Sequence, residues 1–163
     1  MSTFTLVQPR VRRREWQLRR RDDVRAVLRL STFRARAEAE AAGRPLEIEQ
    51  RGWWRPEYVV RDARTDEEVA RLRRNELELG GKTLRWKRLG RKGGSGFVDG
   101  SGEPLVAVKV KIAFVRFSGE VTVATTVSEH DALVMALVAM YLLFNRSAAA
   151  VAGATAAAGA TSA

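Results

Sequence analysis

The sequence predicts a mainly β protein, a closed or nearly closed antiparallel β-barrel of about 12 strands around one central apolar C-terminal helix. Three observations predict it. Ala132 to Phe144, ALVMALVAMYLLF, runs 13 residues without a charge, and a helix apolar on every face is enclosed by protein or by lipid. Upstream, short segments alternate apolar and polar residues between turn residues, which is the period of strands. A bilayer core takes about 20 apolar residues as helix, whereas runs of 10 to 14 are more often core helices. The chain's own strands are therefore expected to enclose the helix, closing as a barrel that leaves no free edge. A tail anchor is the competing reading. It would carry Arg146 into the membrane, at roughly 2.5 to 3.5 kcal/mol on insertion scales.

The 163 residues suit one domain with a real core. No cysteine is present, which excludes a disulfide framework, a thiolate zinc site, a catalytic thiol and cysteine-linked lipid anchors. MSTFTLVQPRVRRR has no apolar core of the length a secretory signal needs, so a cytoplasmic protein, peripheral to a membrane at most, is expected. Residues 1–13 read as a flexible basic arm, 14–146 as the barrel domain, and 147–163 as a low-complexity alanine, glycine and threonine tail, disordered or frayed. The formal charge of +10 is mostly arginine. It points to polyanions: nucleic acid, an anionic membrane face or an acidic partner. Arginine-rich usage also arises as a compositional habit of a genome.

Trp16 and Leu18, then Val24, Ala26, Leu28 and Leu30, alternate with polar residues on either side of an Arg21-Asp22-Asp23 turn. Phe33 to Ala41 has helix-forming residue types, but as a helix it would scatter its alanines around the axis. As a strand it presents a face of small side chains, suited to a wall with a helix close behind, and strand is the reading adopted. Gly43-Arg44-Pro45 turns into a strand with Leu46 and Ile48. Gly52-Trp53-Trp54-Arg55-Pro56 interrupts the pattern, and its tryptophans are expected to plug the end of the core, the alternatives being interfacial anchors or base-stacking platforms.

Glu57 to Arg61 and Glu68 to Arg73 read as strands, the second in preference to a helix capped by Thr65 and Glu68. Leu77 and Leu79, the Gly80-Gly81 turn, then Leu84 and Trp86 give the next hairpin. A glycine-dense segment, Leu89 to Pro104, surrounds a short strand at Phe97 and Val98. Val106, Val108, Val110, Ile112 and Phe114 then share one face, the phase slips near Arg116, and Ser118-Gly119 is expected to turn into a last strand with Val121 and Val123. Ser128 and Asp131 form a capping pair for a helix over about 129–144.

Two segments, EYVVRDARTDEEVARL at Glu57 to Leu72 and GFVDGSGEPLVAV at Gly96 to Val108, repeat a rhythm of hydrophobic strand, aspartate, turn and hydrophobic strand. With the strand order and the C-terminal apolar helix, the chain from Arg14 to Phe144 resembles the tubby C-terminal-like fold shared by tubby proteins, phospholipid scramblases and LURP-one-related proteins. That resemblance implies a non-enzymatic barrel with membrane or anionic-lipid association as a recurring theme. The chain departs from scramblases in having no cysteine for acylation and no acidic calcium-loop pattern.

Catalytic signatures fail on inspection. Gly81-Lys82-Thr83 ends like a phosphate-binding loop, but Glu76 stands where the first glycine belongs and a strand follows. In Gly93-Gly94-Ser95-Gly96 the third fingerprint glycine is replaced by Asp99. His130 is the only histidine, so no histidine pair can hold a metal. Asp22-Asp23, Asp62 and Asp66-Glu67-Glu68 fall at turns. No enzyme, metal or cofactor is expected. What remains is cationic surface: Arg85, Lys87, Arg88, Arg91 and Lys92 on one strand and its following loop, with Lys109 and Lys111 on a nearby strand. The ordinary reading is a solvated outer face. The functional reading is an anion site for phospholipid headgroups, with nucleic acid as the alternative ligand or protein as a third kind of partner. The Arg10 to Arg21 segment is a second candidate, able to touch phosphates without sequence preference.

Overall fold

The helix begins where its capping residues place it. In α1, Glu129–Gly159, the Asp131 N–H donates to Ser128 Oγ at 3.2 Å and the Ala132 N–H to the Ser128 carbonyl at 3.0 Å. Glu129 and Asp131 occupy the first turn, where the helix dipole favours negative charge. From Ala132 to Leu142 no residue exposes more than 1% of its surface. The computed structural model describes residues 1–10, 13–31, 35–90, 94–113 and 116–159, the side chains of 112, 113, 116, 117 and 146–159 excepted.

Protein encloses this helix from Ala132 to Phe144. The wall is a closed barrel of β1 Ser2–Val7, β2 Glu15–Arg20, β3 Asp23–Leu30, β4 Arg36–Ala41, β5 Arg44–Arg51, β6 Glu57–Asp62, β7 Glu68–Arg73, β8 Glu76–Leu79, β9 Lys82–Arg88, β10 Ser95–Val98, β11 Pro104–Ala113 and β12 Arg116–Val123. Each strand is antiparallel to its sequence neighbour, and β1 closes the ring against β12, with Phe4 opposite Val121.

Three expectations need correction. Residues 2–7 are not an arm but β1: Phe4 and Leu6 face inward and are buried, and pairing with both β2 and β12 removes the edges an eleven-strand sheet would leave. α1 continues past Phe144 to Gly159 instead of ending in an unstructured tail; alanine, the best helix former, fills that segment. Ser118-Gly119 lies inside β12, with Gly119 opposite Val110 and Leu6. A Cβ on Gly119 would collide with the Lys109 carbonyl oxygen, so this glycine permits close strand approach and makes no turn. The connection between β11 and β12, and with it Phe114, lies outside the described residues.

Strand periodicity holds for the ambiguous segments, although β4 begins only at Arg36 and Ala35, expected on its small-residue face, is an exposed turn residue. Ala37, Ala39 and Ala41 of β4 are buried at 1%, 5% and 0% exposure and form a low wall against the helix, while Arg36, Glu38 and Glu40 face out. Phe33 is outside the described residues. The two hairpins with the repeated rhythm share their construction. Asp62 Oδ1 accepts the N–H groups of Arg64 and Thr65, Asp99 Oδ1 those of Ser101 and Glu103. A register shift just precedes each aspartate, at Val60/Arg61 and at Phe97/Val98.

The alanine wall is testable. Ala37→Leu inserts three heavy atoms where the helix already fills the space. It is expected to cost about 1–3 kcal/mol in urea unfolding, whereas Glu38→Leu, one residue on and outward, is expected to stay within about 0.5 kcal/mol.

Candidate anionic-surface interface

Strands that alternate in direction put successive connections at opposite ends of the barrel. At the end where α1 starts lie the turns after β2, β4, β6, β8 and β10; at the end toward which it runs lie those after β1, β3, β5, β7, β9 and β11. Arg25 of β3 holds the helix start through Glu129 at 2.7 Å. Near the other mouth Phe144 stacks on Trp16 with ring centroids 4.2 Å apart, and Tyr141 meets Tyr58 edge-on at 5.7 Å.

The two ends differ in charge. The turns at the helix start include Asp22, Asp66, Glu67, Asp99 and Glu103 against Arg21 and Arg64, so carboxylates outnumber arginines there. Backbone N–H groups from Arg64 and Thr65 hold the Asp62 carboxyl below its usual range, and the Ser101 hydroxyl followed by backbone donors does the same for Asp99. At the other mouth the described connecting residues include no aspartate or glutamate, and Arg10, Arg13, Arg14, Arg55 and Arg74 are all exposed. Arg12, Arg34, Arg91 and Lys92 belong to the same connections by sequence but lie outside the described residues.

The outer wall divides in the same spirit. On β2 to β7 arginine and carboxylate pair across strands, Arg29 with Glu15 at 2.9 Å, Arg73 with Glu57 at 2.9 Å and Arg71 with Glu57 at 3.1 Å, and along them, Arg51 with Glu49 at 2.9 Å and Arg71 with Glu68 at 2.6 Å. Of the residues singled out from sequence, Arg85 is 3.7 Å from Glu76 and so is partly balanced, and Lys109 stands opposite Glu120. Lys87 stands opposite Gly96, Arg88 opposite Ser95 and Lys111 opposite Ser118, all three cations exposed and none facing an acid in register. Only β10 separates β9 from β11, and its Gly96 adds no side chain between them. The fold thus brings Lys87, Lys109 and Lys111 onto one flank, with Arg88 exposed at the mouth end of β9.

The tryptophan pair was misjudged from sequence. Trp53 and Trp54 do not plug the core; they expose 89% and 92% of their surface in the connection after β5. Trp16 and Phe144 close that mouth instead. Gly52, at φ +78° and with the Arg55 carbonyl oxygen 3.1 Å from where a Cβ would sit, lets the loop turn sharply. The signal was present: two adjacent large aromatics between Gly52 and Arg55-Pro56 cannot both follow an inward alternation. Beside the loop, Arg55, Arg73 and Arg74 overhang a cleft of about 780 Å³ floored by Tyr58, Leu72 and Leu142.

No family model matches the sequence, and no match is found among curated proteins or solved structures.

The ion pairs give a pH signature. Arg73 first, then Arg71, lower the carboxyl of Glu57; Arg71 lowers that of Glu68; and Arg29 that of Glu15. A lowered folded-state pKa contributes stability that is complete above the unfolded value, about 4.3, and is lost as pH falls through the folded value. Melting temperature is therefore expected to fall on acidification below about pH 4.3, and Glu57→Gln to show a smaller acid-induced drop than the wild type by circular dichroism.

Proposed function

We propose that the protein is a non-catalytic binding module whose ligand is an anionic phospholipid surface. The observation that carries this reading is the set of exposed cations Lys87 and Lys111 on the outer flank and Arg88 at the end of β9, none with an acid opposite, adjoining a barrel mouth whose described connections carry arginine and no carboxylate. Part of the net charge of +10 is thus gathered at one flank and mouth. A twelve-strand barrel closed around a buried helix supports the resemblance to the tubby C-terminal-like fold, and lipid association is what that resemblance implies. Among the described residues no helix is long and apolar enough to cross a membrane. The carboxylates once weighed as acid/base candidates serve turns and ion pairs, Asp62 on backbone N–H groups, Glu68 on Arg71 and Asp66 on Arg61.

Cosedimentation with vesicles tests the proposal. Binding is expected to phosphatidylserine-containing vesicles and not to neutral phosphatidylcholine, and to weaken as salt rises. At about 1 kcal/mol per cation near the surface, Lys87→Ala with Lys111→Ala is expected to weaken it roughly thirty-fold. Equal binding to both vesicle types would reject the reading. So would tighter, sequence-tolerant binding to DNA or RNA with a steep salt slope at the same ionic strength.

A further inference from the structure

We infer that the barrel docks end-on, through the mouth toward which α1 runs, with Trp53 and Trp54 seated in the headgroup region of an anionic bilayer. This rests on the membrane reading and adds to it the face, the orientation and the residues that enter the lipid.

Four features meet at that mouth. The first is the pair of tryptophans, the most exposed large hydrophobic side chains among the described residues, at 89% and 92%. Each indole offers on the order of 150–250 Å² of contact surface together with one N–H donor, the combination that settles at a membrane–water boundary. The second is the cationic rim: Arg55 follows the pair directly, Arg74 is exposed on the neighbouring β7–β8 turn, and Arg13 and Arg14 lead into β2. Guanidinium groups ringing an aromatic tip complement lipid phosphates lying around inserted indoles. The third is the cleft lined by Arg55, Arg73 and Arg74 together with apolar Leu72 and Leu142 and with Tyr58; Glu57 also lines it and pairs with Arg73 at 2.9 Å, which leaves Arg55 and Arg74 as its unbalanced charges.

The fourth is the direction of α1. The helix continues beyond Phe144 to Gly159, and after Arg146 the sequence carries no charge. The helix C-terminus contributes only about half a negative charge, too little to offset the arginines around it. The opposite end, where Asp22, Asp66, Glu67, Asp99 and Glu103 outnumber Arg21 and Arg64 in the turns, is the less favourable one for the same surface. Charge therefore selects one end of the barrel, and the tryptophans lie at that end. A nucleic acid would meet the same cations, but single-sided insertion of an indole pair beside an uncharged helical extension matches a lipid boundary better than a chain of stacked bases.

Tryptophan emission of the full chain, read with and without vesicles, tests this. On phosphatidylserine/phosphatidylcholine vesicles the wild type is expected to shift to the blue and to be quenched by lipids brominated near the headgroup. Trp53→Phe with Trp54→Phe keeps Trp16 and Trp86, both buried, and is expected to lose the shift while retaining its melting temperature. Trp53→Ala with Trp54→Ala is expected to bind acidic vesicles at least about tenfold more weakly. Lys87→Ala with Lys111→Ala is expected to weaken binding yet keep the blue shift of the bound fraction. Sedimentation with acidic vesicles without any change in emission would overturn end-on docking while leaving the proposed function standing. Failure to sediment at low salt would overturn both. Quenching by a single-stranded oligonucleotide, with no response to vesicles, would assign the tryptophans to base stacking and overturn the inference.

Discussion

A helix with no polar face dictates this architecture. Leu133, Met135, Leu137, Met140 and Leu142 point in different directions around α1, and each is buried to within 1%. Burying one such side chain contributes about 1.5–3 kcal/mol, so uncovering a handful would exhaust the roughly 5–15 kcal/mol of an ordinary domain. One flat sheet could cover only one side. Closure is the solution, and it needs every strand, including the six residues of β1 that join β12 to β2. The alanines of β4 follow from the same demand, because a wall holding tryptophans and phenylalanines on some strands must thin on others to keep the rod within reach.

How much of this was legible depends on where the stabilising contacts lie. Strands whose partners are sequence neighbours could be read from alternation alone, as in the hairpins around Gly80-Gly81 and Asp62. β1 carries the same alternation in Phe4 and Leu6, yet its closing partner is at the far end of the barrel sequence, in β12. Nothing local distinguishes such a strand from an arm that precedes a run of arginines. The extension of α1 is hard to read for the reverse reason: its alanine content favours helix locally, but the segment has few large side chains whose burial would separate a helix from a disordered or frayed tail.

The cationic site was half legible. Alternation correctly sent Arg85, Lys87, Lys109 and Lys111 outward. It could not show which of them a cross-strand carboxylate would balance, because that depends on register: Glu76 falls opposite Arg85 and Glu120 opposite Lys109, while Gly96 and Ser118 fall opposite Lys87 and Lys111. The paired arginines of β2 to β7 are individually worth about 1 kcal/mol or less at an exposed surface. Their larger consequence is electrostatic. By consuming the acids of one side of the wall they leave the excess charge on the other side and at one mouth.

That separation turns a net charge into a direction. A strand of eight residues such as β3 or β5 spans about 26 Å, or roughly 20 Å along a tilted barrel axis. Screening at physiological ionic strength acts over about 8 Å. When the arginine-bearing mouth touches an anionic surface, the carboxylate turns at the far end lie more than two screening lengths away and add almost no repulsion. With the barrel reversed, the same carboxylates meet the surface and the arginines are the ones out of range. The energetic difference between the two poses is therefore set by the end in contact, and the net charge of +10 can orient the protein because its unbalanced groups are gathered in the connections of one mouth and on the neighbouring flank.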